Sequence, residues 1–177
     1  MCSNVNNFVR LVVILCLVLE ISTKFEWTNI KCSTLDNSFC TIEYCYIKPI
    51  NRTYKYVSLK VNLLKTPVTK INFAVYKWAN GYLPFLYNLT VDSCRFLKNT
   101  DANPIAKFFY ELIKSHSNMN HTCPYDHDVI IDKLSTDFLS NQFTNVLPVP
   151  EGKYMVKSNV FAYDILRARV DVYGTIS

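Results

Sequence analysis

Strict alternation of apolar and polar residues recurs along this chain and limits its fold more than any other feature. In Val57-Ser58-Leu59-Lys60-Val61-Asn62-Leu63 the odd positions are apolar and the even ones polar. Ile71-Asn72-Phe73-Ala74-Val75 repeats the pattern after a break at Thr66-Pro67, and Asn80-Gly81 marks a turn. Leu83, Phe85, Tyr87, Leu89 and Val91 then share one phase, with Asn88, Thr90 and Asp92 on the other. Ala168, Val170 and Val172 alternate with Arg167, Arg169 and Asp171; Thr41 to Ile47 and Tyr154 to Val160 are further candidates. Successive side chains of a strand point to opposite faces, so these segments read as half-buried strands.

One segment has a different period. Ile105, Phe108, Phe109, Leu112 and Ile113 follow i, i+3, i+4, i+7, i+8 spacing, with Lys107, Glu111 and Lys114 opposite. Asn103 suits an N-cap and Pro104 the first turn, so a helix is expected from Pro104 to about Ser117. It lies between Cys94 and Cys123, and a bridge between those two would staple it down. At least six short strands with one helix indicate a mainly β fold, two antiparallel sheets packed as a β-sandwich. A closed barrel is the competing arrangement. With 50% hydrophobic and 14% aromatic residues the chain can fill one sizeable core.

Polar residues with one cation, Arg10, precede the apolar run Leu11 to Leu19, and Ser22-Thr23 follow. That is the layout of a secretory signal peptide over residues 1–23, which leaves residues 24–177 as a single domain. Nine apolar residues fall short of the roughly 20 that span a bilayer. The sequons at Asn51, Asn88 and Asn120 agree with secretion, and the strand phase turns Asn88 to solvent, where a glycan must be. Outside the cell, cysteines pair by default. Five remain after residue 23 (Cys32, Cys40, Cys45, Cys94 and Cys123), so at least one thiol is left over.

Several kinds of chemistry find no support. Gly81, Gly152 and Gly174 stand too far apart for a phosphate-binding loop or a nucleophile elbow. His116, His121, Cys123 and His127 have no compact metal-ligand spacing. Asp126, Asp128 and Asp132 near His127 read as a solvated loop, so neither catalysis nor a metal or other cofactor is expected. The net charge of +5 includes no basic run; Lys55, Lys60, Lys70 and Lys77 are singly spaced and read as outward, which argues against nucleic-acid binding.

The order of motifs carries a resemblance. It runs Asn29-Ile30-Lys31-Cys32, Cys45 with Lys48 and Asn51-Arg52-Thr53, Asn80-Gly81-Tyr82 with Pro84-Phe85-Leu86, and Asp92-x-Cys94-x-Phe96-Leu97. Ser117-Asn118, Asn120-His121-Thr122-Cys123-Pro124-Tyr125 and Pro150-Glu151-Gly152-x-Tyr154 follow. Together they resemble a large family of small secreted fly proteins of uncharacterised function, which is similar in turn to the lipid-recognition superfamily of the ganglioside-activator type and to some chemosensory proteins. The resemblance implies a cup-like sandwich that holds acyl chains between its sheets and performs no catalysis. It matches Cys32, Cys45, Cys94 and Cys123, implies Cys32–Cys45 beside Cys94–Cys123, and leaves Cys40 as the extra.

The expectation is therefore a secreted, extracellular, non-enzymatic binder of a lipid or other small apolar ligand, with a membrane receptor as a further partner. Val61, Leu63, Phe73, Val75, Phe85, Tyr87 and Leu89 are the expected cavity lining, with Phe109 in a lid. Cations at the mouth would meet an acidic head group. A glycoprotein interaction module with a solid core is the alternative, because periodicity does not tell filled space from a cavity.

Overall fold

The computed structural model describes residue 10 and residues 24–52, 54–146 and 149–177. The expected signal peptide therefore lies outside the described residues, apart from Arg10. Eight strands alternate with short helices: β1 Phe25–Thr34, β2 Cys40–Pro49, β3 Lys55–Leu63, β4 Lys70–Trp78, β5 Tyr82–Asp92, α1 Ser93–Lys98, α2 Pro104–Lys114, β6 Val129–Ser135, α3 Thr136–Val146, β7 Gly152–Ala162 and β8 Ile165–Ile176. A single 3-10 turn, Thr100–Ala102, separates α1 from α2.

The strands form two antiparallel sheets, one of five in the order β1-β8-β7-β4-β5 and one of three in the order β2-β3-β6. This is the expected two-sheet sandwich, and the sheets do not close into a barrel. Cross-strand register gives the larger sheet one continuous inner face. Ile71, Phe73 and Val75 on β4 stand opposite Val160, Ser158 and Val156 on β7, and these stand opposite Ala168, Val170 and Val172 on β8. On the outer face a polar ladder crosses four strands. Asn72 donates to Asn88 and Thr90, Asn159 donates to Asn72, and Arg169 donates to Asn159.

The two long edges of the sandwich are joined differently. At one, the Cys32–Cys45 disulfide ties β1 to β2 with its Cα atoms 6.3 Å apart, and Lys55 pairs with Glu26 at 2.5 Å. At the other, residues 93–128 carry the chain from β5 to β6. Cys94–Cys123, with Cα atoms 5.4 Å apart, brackets this span and encloses α2. The α2 cap is the expected one: Asn103 Oδ1 accepts from the Ala106 amide at 3.0 Å and Pro104 occupies the first turn. The helix stops at Lys114 rather than near Ser117, and Ile105 is exposed.

Four elements escaped the sequence reading. The first is β1, whose register slips between Trp27 and Asn29, and the second is β6, where the slip lies opposite Val57/Leu59. Each irregularity breaks the alternation on which strand recognition depends. The others are α1, too short to show a helical period, and α3, which buries Leu139 against the core but has a weaker apolar stripe than α2. Among the described residues no helix is long and apolar enough to cross a membrane.

Candidate functional site: an apolar chamber between the sheets

The inward faces do not meet. Between them lies a chamber of about 330 Å³ whose wall is almost wholly apolar. Alternate residues of β3 (Val57, Leu59, Val61, Leu63) form one side. The inner faces of β4, β7 and β8 form the other, and Phe108, Phe109, Leu112 and Ile113 of α2 close the gap between β5 and β6. The Phe109 ring stacks on Phe73 at 5.9 Å. Of the expected lining positions, Val61, Leu63, Phe73, Val75, Phe85, Tyr87 and Phe109 stand in this wall. Leu89 is not in this wall: it is half-buried on β5, in register with Phe73.

The chamber has two unlike ends. At one, Phe39, Cys40, Val68, Ala162 and Ala168 pack into a tight cluster, with Ala162 fully buried. The Arg167 guanidinium lies 5.0 Å over the Phe39 ring and pairs with Asp36. Cys40, the one cysteine outside a disulfide among the described residues, is 1% exposed in the chamber wall. Burial pushes its pKa up and the Asp36 charge adds to this, so the thiol stays protonated and behaves as an apolar wall group.

At the other end an aromatic cluster gathers around Trp27, Phe85, Phe108 and Tyr154. Here β5 departs from its alternation. Ala74 faces Asn88, whereas Tyr76 faces Pro84, so Phe85, Leu86 and Tyr87 together oppose Val75. Leu86 adopts φ 57° in this bulge. It belongs to the chamber wall and is also 66% exposed, which places the rim of an opening at this point. Trp78 and Leu83 nearby are 50% and 56% exposed.

Lys77 corrects the reading of the lysines as outward. It continues the inner phase of Ile71, Phe73 and Val75 and stands opposite Tyr154 on β7. Its ammonium lies 5.6 Å from the Phe85 ring centroid and 5.5 Å from that of Tyr154, both in the chamber wall. Gly152 makes room for it: a Cβ there would approach Lys77 Cε to 2.9 Å. Lys55 also shares the inner phase, of Val57, but reaches Glu26. Lys60 and Lys70 are held by Glu43 and Asp164. No carboxylate pairs with Lys77 among the described residues. The continuing alternation could have revealed this; the residue type hid it.

Beside the chamber, Tyr125 braces the span that carries Cys123. Its hydroxyl shares one proton between the Met119 and His121 carbonyls, at 2.9 and 2.8 Å. Burial, with the nearby Tyr110, pushes its pKa up to about 12, so it remains a donor. His121 and His127 meet through their Nε2 atoms at 2.8 Å. Among the described residues no group of three or more His, Cys, Asp or Glu side chains could hold a metal ion. The sequon residues Asn51, Asn88 and Asn120 are all exposed.

These features define a two-sheet antiparallel sandwich, held by two disulfides, with an apolar chamber open at one end. Residues 71–156 match a family described as "Protein of unknown function (DUF1091)". The match begins on the inner face of β4 and ends midway along β7, so it takes in Lys77, the β5 bulge and the whole bridged helical span. A comparison with curated proteins finds no match.

Proposed function

We propose that this protein is a secreted, non-enzymatic binder of a lipid or other small apolar ligand, which it holds between its sheets. The observation that carries the reading is the chamber: about 330 Å³, walled by side chains from both sheets and α2 and opening beside Leu86. That volume is near the lower end of ligand pockets, about 300–1,000 Å³, and suits one chain better than two. Each methylene moved from water into such a wall contributes about 0.8 kcal/mol. The two disulfides and three exposed sequon asparagines support an extracellular setting. The resemblance to the ganglioside-activator type points the same way, and a chemosensory role through a membrane receptor is its extension.

Native mass spectrometry of protein from a secretory host tests this reading. The expected result is a population heavier by the mass of a bound lipid, together with uptake of the neutral probe N-phenyl-1-naphthylamine. Protein that carries no lipid and takes up no probe would overturn it. The exposed Trp78 and Leu83 would then favour an interaction module working through its surface.

A further inference from the structure

We infer that Lys77 is a head-group anchor and that the ligand is a single-chain amphiphile bearing a carboxylate, its head at Lys77 and its tail toward the Phe39–Ala162 end. The inference rests on the reading of the chamber as a lipid site and adds the ligand's class and direction.

Four observations carry it. The register places Lys77 on the inner face, one alternate position beyond Val75, where the wall ends. Its ammonium is flanked by the wall rings of Phe85 and Tyr154, which shield it on the apolar side and supply no counter-ion. No carboxylate pairs with it among the described residues, whereas the two lysines of the outer groove beside Phe108 are both held: Lys107 by Asp101 at 2.6 Å and Lys114 by Glu111 at 3.6 Å. Finally, its strand neighbours Leu83 and Leu86 are exposed, so this is the end that water and an incoming ligand reach.

The rest of the wall settles the direction. Ser93 Oγ is another polar atom facing the chamber, 6% exposed and without a hydrogen-bond partner. It is neutral and lies past Asp92, which stands opposite Lys70 in register at the far end of β4, so it does not balance a charge. From Lys77 to Ile71 the inner face runs six residues, about 20 Å at strand rise, the reach of a long acyl chain. A single ammonium matches a single negative charge, which selects a carboxylate over a phosphate dianion. A charge-assisted hydrogen bond at a half-buried site separates charged from neutral heads by about tenfold or more.

The test is competition against N-phenyl-1-naphthylamine by three amphiphiles of equal chain length: palmitate, cetyl alcohol and cetyltrimethylammonium. Wild-type protein is expected to bind palmitate about tenfold more tightly than cetyl alcohol, and cetyltrimethylammonium most weakly. Lys77→Met keeps the apolar stem and removes the charge. It should abolish the palmitate preference and leave cetyl alcohol unchanged, while Lys77→Arg should keep the preference. Equal binding of all three by the wild type would overturn the anchor and leave the lipid reading standing, as would Lys77→Met binding palmitate like the wild type. Failure of the protein to take up the probe or any of the three would overturn the lipid reading and the anchor together. The wild-type series needs no variant, so a Lys77→Met chain that fails to fold does not remove the test.

Discussion

The two ends of the chamber are built from the same strands, yet one is packed shut and the other is propped open. Along β7 the inner face passes from Tyr154 to Val160 and ends at Ala162; along β8 it passes from Ile176 to Ala168. At the alanine end small side chains let the sheets approach, and Phe39, Cys40 and Val68 fill what remains. At the tyrosine end large rings stand edge to face, Phe25 with Trp27 at 4.7 Å and Phe108 with Phe109 at 5.6 Å, and the β5 bulge turns Leu86 outward. Close packing is the default of protein interiors. A sandwich keeps a cavity where bulky, mutually braced side chains hold its sheets apart.

The largest expected effect comes from releasing the disulfide that brackets α2 and is anchored just past Asp92, at the closed end of the chamber. Replacing both Cys94 and Cys123 with serine frees a loop with a sequence separation of 29 and should cost about 3 kcal/mol in denaturant unfolding. Hydrogen exchange should rise first in Pro104–Lys114 and leave the amides of β7 and β8 protected. Equal loss of protection along β7 would show that the bridged helical span and the larger sheet unfold as one.

Filling space should separate the ends next. Ala162→Leu overpacks a site without free volume and is expected to lower stability by about 1–3 kcal/mol. Val75→Trp adds more volume but adds it into the chamber, so stability should change by less than about 1 kcal/mol while uptake of N-phenyl-1-naphthylamine falls. Equal stability losses from the two substitutions would mean that the chamber wall is packed as tightly as the alanine end.

The smallest effect belongs to the surface of the closed end. Hydrogen bonds from the Ser38 hydroxyl and amide, aided by Arg167, hold the Asp36 carboxyl below the usual carboxylate range. Its contribution is therefore present above the unfolded pKa and is lost as pH falls through the lower folded value. Thermal midpoints from about pH 7 down to pH 2 should converge for wild type and Asp36→Asn at the acid end. A gap that persists there would assign the Asp36 effect to packing rather than charge.

Much of this comparison is legible in residue order. The phase of Val57 to Leu63 and of Ile71 to Val75 marks which side chains face inward, because a strand's period of two is a property of its backbone. Asn103, Pro104 and the Phe108/Phe109/Leu112 stripe mark α2 for the same local reason. The bulge at Leu86 is legible only as an irregularity: Leu83, Phe85, Tyr87, Leu89 and Val91 keep one phase while Pro84 and Leu86 interrupt the polar one, and only pairing with β4 shows that three residues oppose Val75. Leu89 keeps the expected register opposite Phe73 but is not among the residues of the chamber wall, because alternation assigns a face without saying which of its residues border a cavity.

The sequence by itself determined six of the eight strands, the α2 helix, the inward phase of the regularly alternating strands and the cysteines available to staple them, because each depends on neighbours within a few positions along the chain. Tertiary structure alone decided the separation of the two faces, the closure at Ala162 and the opening at Leu86, and it set Lys77 between Phe85 and Tyr154. Those outcomes depend on how side chains far apart in sequence share one volume, and periodicity contains no measure of volume.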